Sequence, residues 1–210
     1  MRIIDLTQTL KPGIRGFSSE PAKTIEKDGW NARTLKIYSH AGTHVDAQTH
    51  FNAGSKGIDQ VLPDRFVARC WVVDITGIAP KALIGVNHLG EVAEKLQPGE
   101  GLLLKTGWSK YLEQPDIYRD ALPRLSEGLV KWCIDQEVKL IGVEPPSVAD
   151  VNNLEELTRI HQLLLRAEIT IVEGLVNLDQ IFNEKVQVFA LPLKIENGDG
   201  APCRAIAIEE

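Results

Sequence analysis

No stretch of this 210-residue chain holds 18 consecutive apolar residues, and nowhere do Lys and Arg form a run. The first absence excludes a membrane-spanning helix. The second, with 23 basic residues against 29 acidic and a net charge of −6, leaves a phosphate backbone nothing to hold, so nucleic acid is not expected as a partner. Cysteine is scarce: Cys70, Cys133 and Cys203 are odd in number and lack the paired spacing of a zinc-thiolate set, so they are expected as reduced thiols. A Gly-x-Ser-x-Gly elbow is missing too, which removes the usual signature of a serine nucleophile. Asp5 interrupts the N-terminus before any signal-like apolar stretch, so a cytoplasmic protein is expected, and the length fits a single domain over residues 1–210.

Histidine is also sparse, yet three of the five lie in one run, His40 to Phe51, reading HAGTHVDAQTHF. Imidazole and carboxylate suit borderline and hard divalent cations, so this run is a candidate metal site. Gly42 and Thr43 argue against a helix there, and residues 34–38 alternate like a strand, so the run is expected as a strand passing into a loop. In extended backbone His44 and Asp46 share a side, and Gly42 lets the chain fold His40 back towards them. His50 is then a fourth ligand or a proton-transfer group.

Along the rest of the chain, residues 3–6 suggest a strand and residues 11–19 a loop that carries Ile14 and Phe17 either as a lid or as packing. Strands are expected at 66–75, 101–106, 139–143 and 169–175, helices at 87–96, 127–137 and 153–167, and two paired strands at 186–193 and 204–208. This alternation predicts an α/β fold with a mixed sheet covered by helices. Trp108, at the exit of the 101–106 strand, is a candidate pocket wall or a structural core residue, and Phe51 is a further candidate substrate contact. In the 153–167 helix His161 falls on the leucine stripe, and in the 169–175 strand Glu173 shares a face with Ile169, Ile171 and Leu175. A buried carboxylate needs a cation or hydrogen-bond donors, so these two residues look like the second half of a metal site.

The run HAGTHVDAQTHF, with LLLKTGW at 102–108, IGVEPPSV at 141–148, His161 twelve residues before Glu173, and ALPLKIENGDGAPCRA at 190–205, resembles the cyclase family of metal-dependent hydrolases, which includes kynurenine formamidases and isatin hydrolases. The resemblance spans essentially the whole chain. It implies a swivelling β/α/β fold, a homodimer or higher homo-oligomer, and one or two divalent ions, Zn or Mn. It further implies that His40, His44 and Asp46 hold one ion, that Asp46, His161 and Glu173 hold a second, and that His50 is the general acid/base. The chain departs from the family's usual pattern at Gln48 and Glu144, where Pro and Asp are common, and in its loosely matching Pro12 to Phe17 stretch. The expected activity is hydrolysis of a C–N amide bond in a small molecule, either an aryl formamide such as N-formylkynurenine or a cyclic amide. Lactone or ester hydrolysis or cyclisation on the same metals is the enzymatic alternative, and a metal-stabilised binding protein is the non-catalytic one. Structural zinc sites are usually closed and rich in cysteine, unlike this set.

Overall fold

The structure, a computed structural model, describes residues 1–209. Its strands in chain order are β1 (Arg2–Asp5), β2 (Phe17–Lys23), β3 (Ala32–Ile37), β4 (His44–Asp46), β5 (Val67–Asp74), β6 (Leu83–Ile84), β7 (Gly101–Lys105), β8 (Arg124–Leu125), β9 (Leu140–Val143), β10 (Thr170–Glu173), β11 (Lys185–Pro192) and β12 (Gly200–Glu209). Seven of them close on themselves in the order β12-β11-β5-β7-β9-β10-β4 and back to β12, while β1 pairs with the far end of β12. Pairing is parallel from β5 through β7 and β9 to β10 and antiparallel elsewhere in the barrel, so the sheet is mixed as expected.

Alternation of side chains divides the barrel's apolar residues between two cores. Leu103, Leu140 and Val172 pack inside with Val45, Val188 and Ala205. Leu102, Leu104, Ile141 and Ile171 face outward into a second core. Strands buried on both faces read as continuous apolar runs, which is why GLLLK and LIGV lack alternation. Small residues leave the interior little spare room: a Cβ at Gly142 would stand 2.6 Å from a Leu103 methyl.

Three short helices, α1 (Ile25–Asp28), α2 (Val92–Lys95) and α3 (Pro115–Asp120), precede the two that cover the outer core, α4 (Glu127–Asp135) and α5 (Leu154–Arg166). Ser126 caps α4 by accepting from Leu129 N at 3.1 Å, and Asn153 caps α5 by accepting from Glu156 N at 3.1 Å. Each such cap is worth about 1 kcal/mol. Glu156 does not return to Asn153; its carboxylate takes Arg124 at 2.7 Å and Asp150 N at 3.2 Å.

Three local expectations are corrected. The helix expected over 87–96 is split into a 3-10 turn and α2 because Gly90 stands at φ +54° between them. The loop expected over 11–19 stops at Gly16, and Phe17 begins β2, paired with Ile37 of β3. The histidine run keeps the expected extended His44–Asp46 passing into a loop, here a 3-10 turn at Gln48–Phe51, but a turn over 39–43 separates it from the preceding strand β3. Pairing decides this, since β10 and β12 bind β4 from both sides and hold its three residues extended.

All three cysteines are buried, and burial pushes the Cys133 and Cys203 thiols up to about 12 and Cys70 further still. Thiolate is the reactive form. The native protein is therefore expected to resist Ellman's reagent and to release three equivalents once unfolded; rapid native reaction of any one of them would contradict its core placement.

Candidate metal centre

β4 and β10 set Glu173 directly opposite His44, so their side chains rise on the same outer face of the barrel. Asp46, two residues along, shares that face, and α5 lays His161 over it from above. Gly42, at φ +64°, turns the chain into β4 and returns His40 to the same place. The turn is locked by Thr43, whose hydroxyl donates to Gly174 O at 2.6 Å and accepts from Gln8 N at 2.9 Å.

Four fully enclosed groups result. His44 Nε2 lies 3.2 Å from Glu173 Oε2 and 3.6 Å from Asp46 Oδ1; His161 Nε2 lies 3.3 Å from Glu173 Oε1 and 3.6 Å from Asp46 Oδ2. His44 Nδ1 donates to Gly42 O at 2.9 Å and His161 Nδ1 to Leu157 O at 2.7 Å. Carbonyls only accept, so both Nδ1 atoms carry hydrogen, and the Nε2 atoms of neutral rings present lone pairs to two carboxylates. Lone pairs facing anions repel unless a cation joins them. Protons can do so: burial opposes charge on His44, but the Glu173 hydrogen bond and the charges of Glu173 and Asp46 outweigh it and raise His44 to about 9. His161 is raised by the same partners against the same burial.

One atom remains unsatisfied even so. Asp46 Oδ2 is buried with no hydrogen-bond partner among the described residues, although burial should make that costly, and Asp46 is held well below the usual carboxylate range by His40 and the neighbouring imidazoles. His, Asp and Glu are the donor types a borderline divalent ion takes, and the His44, Asp46 and Glu173 ligand atoms lie within 4.8 Å of one another. The residues fit a metal. His40 joins through Asp46, its Nδ1 standing 2.9 Å from Oδ1.

His50 stands beside this quartet. Its ring stacks on His40 with centroids 3.8 Å apart and meets Phe51 edge-on at 4.2 Å. Burial, reinforced by the charges of His40 and His161 against the opposing pull of Asp46, lowers His50 to about 4, leaving a neutral ring able to accept a proton at pH 7. His40, His44, His50, Phe51, His161 and Glu173 share the wall of a cavity of about 1020 Å³ that also reaches Ile14.

Two of the aromatic residues singled out as substrate contacts lie outside that wall. Phe17 is half-buried in β2, where pairing with β3 directs it. Trp108 is only 2% exposed, donates its indole NH to Tyr118 O at 2.9 Å and packs edge-on against Tyr111, which makes it a core residue. Sequence reasoning noted Glu144 only as a departure from the family's pattern and missed Asp199. Glu144 is buried but well supplied with donors, accepting from Thr106 Oγ1 at 2.9 Å, Ser109 Oγ at 2.7 Å and Gly107 N. Asp199 Oδ2 lies 3.3 Å from His40 Nε2, and no spacing signal links residues 159 positions apart.

Because His44, raised to about 9, holds a proton that a metal must displace, and His161 is raised in the same direction, divalent-ion uptake at pH 7 is expected to release at least one proton per ion and to weaken as pH falls. Calorimetric titration in buffers of different ionisation enthalpy measures this; uptake without proton release would place the ion elsewhere.

Residues 4–150 match the Cyclase family model. Kynurenine formamidase from Erythrobacter litoralis (strain HTCC2594) is 32% identical over 217 residues, covering 99% of this chain and 94% of that protein. The protein of the same name from Bacillus anthracis is 33% identical over 219 residues, covering 97% and 95%. Among solved structures, isatin hydrolase A from Ralstonia solanacearum superposes with a TM-score of 0.90 at 26% identity, covering 100% of this chain and 92% of its own.

Proposed function

The chain belongs to the Cyclase family, and from that premise we propose that it is a metal-dependent hydrolase cleaving a C–N amide bond in a small molecule, an aryl formamide such as N-formylkynurenine or a cyclic amide such as isatin. The observation that carries this reading is the enclosed quartet His44, Asp46, His161 and Glu173, with its unsatisfied Asp46 oxygen, three of whose members, His44, His161 and Glu173, line a cavity large enough for a bicyclic substrate and water. His40, His44, Asp46, His161 and Glu173 are the groups that would hold one or two divalent ions, Zn or Mn. An ion held there supplies Lewis acidity, which polarises a carbonyl and makes water nucleophilic near neutral pH.

The chain's own groups do the rest. His50, neutral and at the cavity wall, takes a proton from the attacking water and returns it to the departing nitrogen, which leaves poorly as an anion. Phe51, 4.4 Å from the His161 ring, offers an apolar face to an aryl group and excludes bulk water from the carboxylates. The swivelling β/α/β architecture is the finer fold assignment that accompanies this family. Assembly as a homodimer or larger homo-oligomer is supported by the β2–β3 arm, whose Ile25, Trp30 and Leu35 are exposed.

The test is hydrolysis of N-formylkynurenine and of isatin by metal-loaded protein, beside a chelated sample. Turnover of either that the chelator abolishes supports the reading and picks the branch. Turnover of neither by protein with metal bound would sink the amide assignment.

A further inference from the structure

Asp199 lies between Gly198 and Gly200, immediately before β12, and no step of the proposed reaction uses it. Its Oδ2 stands 3.3 Å from His40 Nε2 and 3.8 Å from His50 Nδ1. Those two rings are stacked at 24°, so a single carboxylate oxygen faces an edge nitrogen of each. The backbone holds it there: Asp199 O accepts from Ala47 N at 2.9 Å, and the next residue pairs with Asp46. Gly200 permits the approach, because a Cβ at that position would meet His40 Cε1 and Val45 O at 2.7 Å each. Among the described residues no lysine or arginine pairs with Asp199, so its charge is not explained by an ordinary surface ion pair.

We propose that Asp199 is the positioning residue that fixes the orientation and tautomer of both His40 and His50. A carboxylate only accepts, so each ring turns an N–H towards it. His40 then donates from Nε2 and is left with Nδ1, beside Asp46 Oδ1, as its metal-facing atom. His50 turns Nδ1 towards the same oxygen at 3.8 Å, beyond hydrogen-bond reach, where the carboxylate's charge favours a hydrogen on Nδ1 and keeps Nε2 as the atom that exchanges protons. One anion thus orients a ligand and the proton-transfer group together, the arrangement by which carboxylates outside a coordination sphere raise the basicity of ligating histidines.

The inference rests on the metal-hydrolase reading, and the experiment separates the two. Asp199→Ala and Asp199→Asn are compared with the parent protein by Zn²⁺ affinity in competition with a chromophoric chelator, by long-range ¹⁵N–¹H spectra of the histidine rings, and by kcat and KM. Asp199→Ala is expected to weaken Zn²⁺ about 10–100-fold, to shift the His50 proton from Nδ1 to Nε2, and to lower kcat with KM within about twofold. The amide oxygen of Asp199→Asn still accepts, so that variant restores the His50 tautomer and part of the affinity. A merely structural role would lower the melting temperature and move none of these. Zn²⁺ affinity within twofold of the parent and an unchanged His50 tautomer in Asp199→Ala overturn the proposal; should that variant fail to fold, parental affinity in Asp199→Asn does so. If the parent itself binds no divalent ion, the hydrolase reading falls, and the His50 tautomer still decides the role of Asp199.

Discussion

Asp46→Asn is expected to abolish stable metal binding and, with it, turnover, while leaving the metal-free protein at least as stable as its parent. The carboxylate is the hub of the site: one oxygen meets His40 Nδ1 at 2.9 Å and lies 3.6 Å from His44 Nε2, and the other stands 3.6 Å from His161 with no hydrogen bond among the described residues. An unsatisfied buried polar group costs about 1–3 kcal/mol, more when charged. Neutralising it relieves the metal-free state while removing the charge that an ion needs. The parent gains about 4 kcal/mol from an ion present at a thousandfold excess over its Kd. For a chain of this size that corresponds to roughly 8–16 °C in melting temperature, at about 2–4 °C per kcal/mol. Thermal melts with and without added Zn²⁺ or Mn²⁺ measure both parts. An equal metal-induced rise in the variant would remove Asp46 from the ligand set.

His50→Ala separates chemistry from binding. Unlike His40 and His44, His50 makes no hydrogen bond or ion pair with Asp46 or Glu173 among the described residues; it stacks on His40 at 3.8 Å and meets His161 edge-on at 5.9 Å. Removing it takes away no atom of the enclosed quartet, so metal content is expected to stay at the parental level. Turnover is expected to fall about 10²–10⁴-fold, the usual worth of a positioned general acid/base. Metal analysis on the same preparation used for kinetics decides the matter. Metal lost in proportion to activity would make His50 a ligand; activity retained with metal in place would hand the proton to another group.

The candidate metal-site residues were legible in the sequence because two kinds of local pattern converge on them. HAGTHVDAQTHF packs three imidazoles and a carboxylate into twelve positions, and the periodicities of α5 and β10 place His161 and Glu173 on buried faces, where polar groups demand a reason. The α/β alternation was equally readable, since strands and helices each write their own period into the chain. Barrel closure was not. β4 has three residues and no strand signature of its own; it is a strand because β10 and β12 flank it, and those partners lie more than 120 residues away. Trp108 could be placed at a strand exit, but only packing shows that its indole turns into the core towards Tyr118. Asp199 sits in Asn-Gly-Asp-Gly, which reads as turn chemistry, and becomes a neighbour of His40 only when β12 closes on β4. Local sequence thus determined which side chains can bind a cation, because residue type and period are local properties. Tertiary structure alone decided which carboxylate oxygen is left without a partner and which loop reaches the histidines, because both depend on contacts between segments that only the closed sheet brings together.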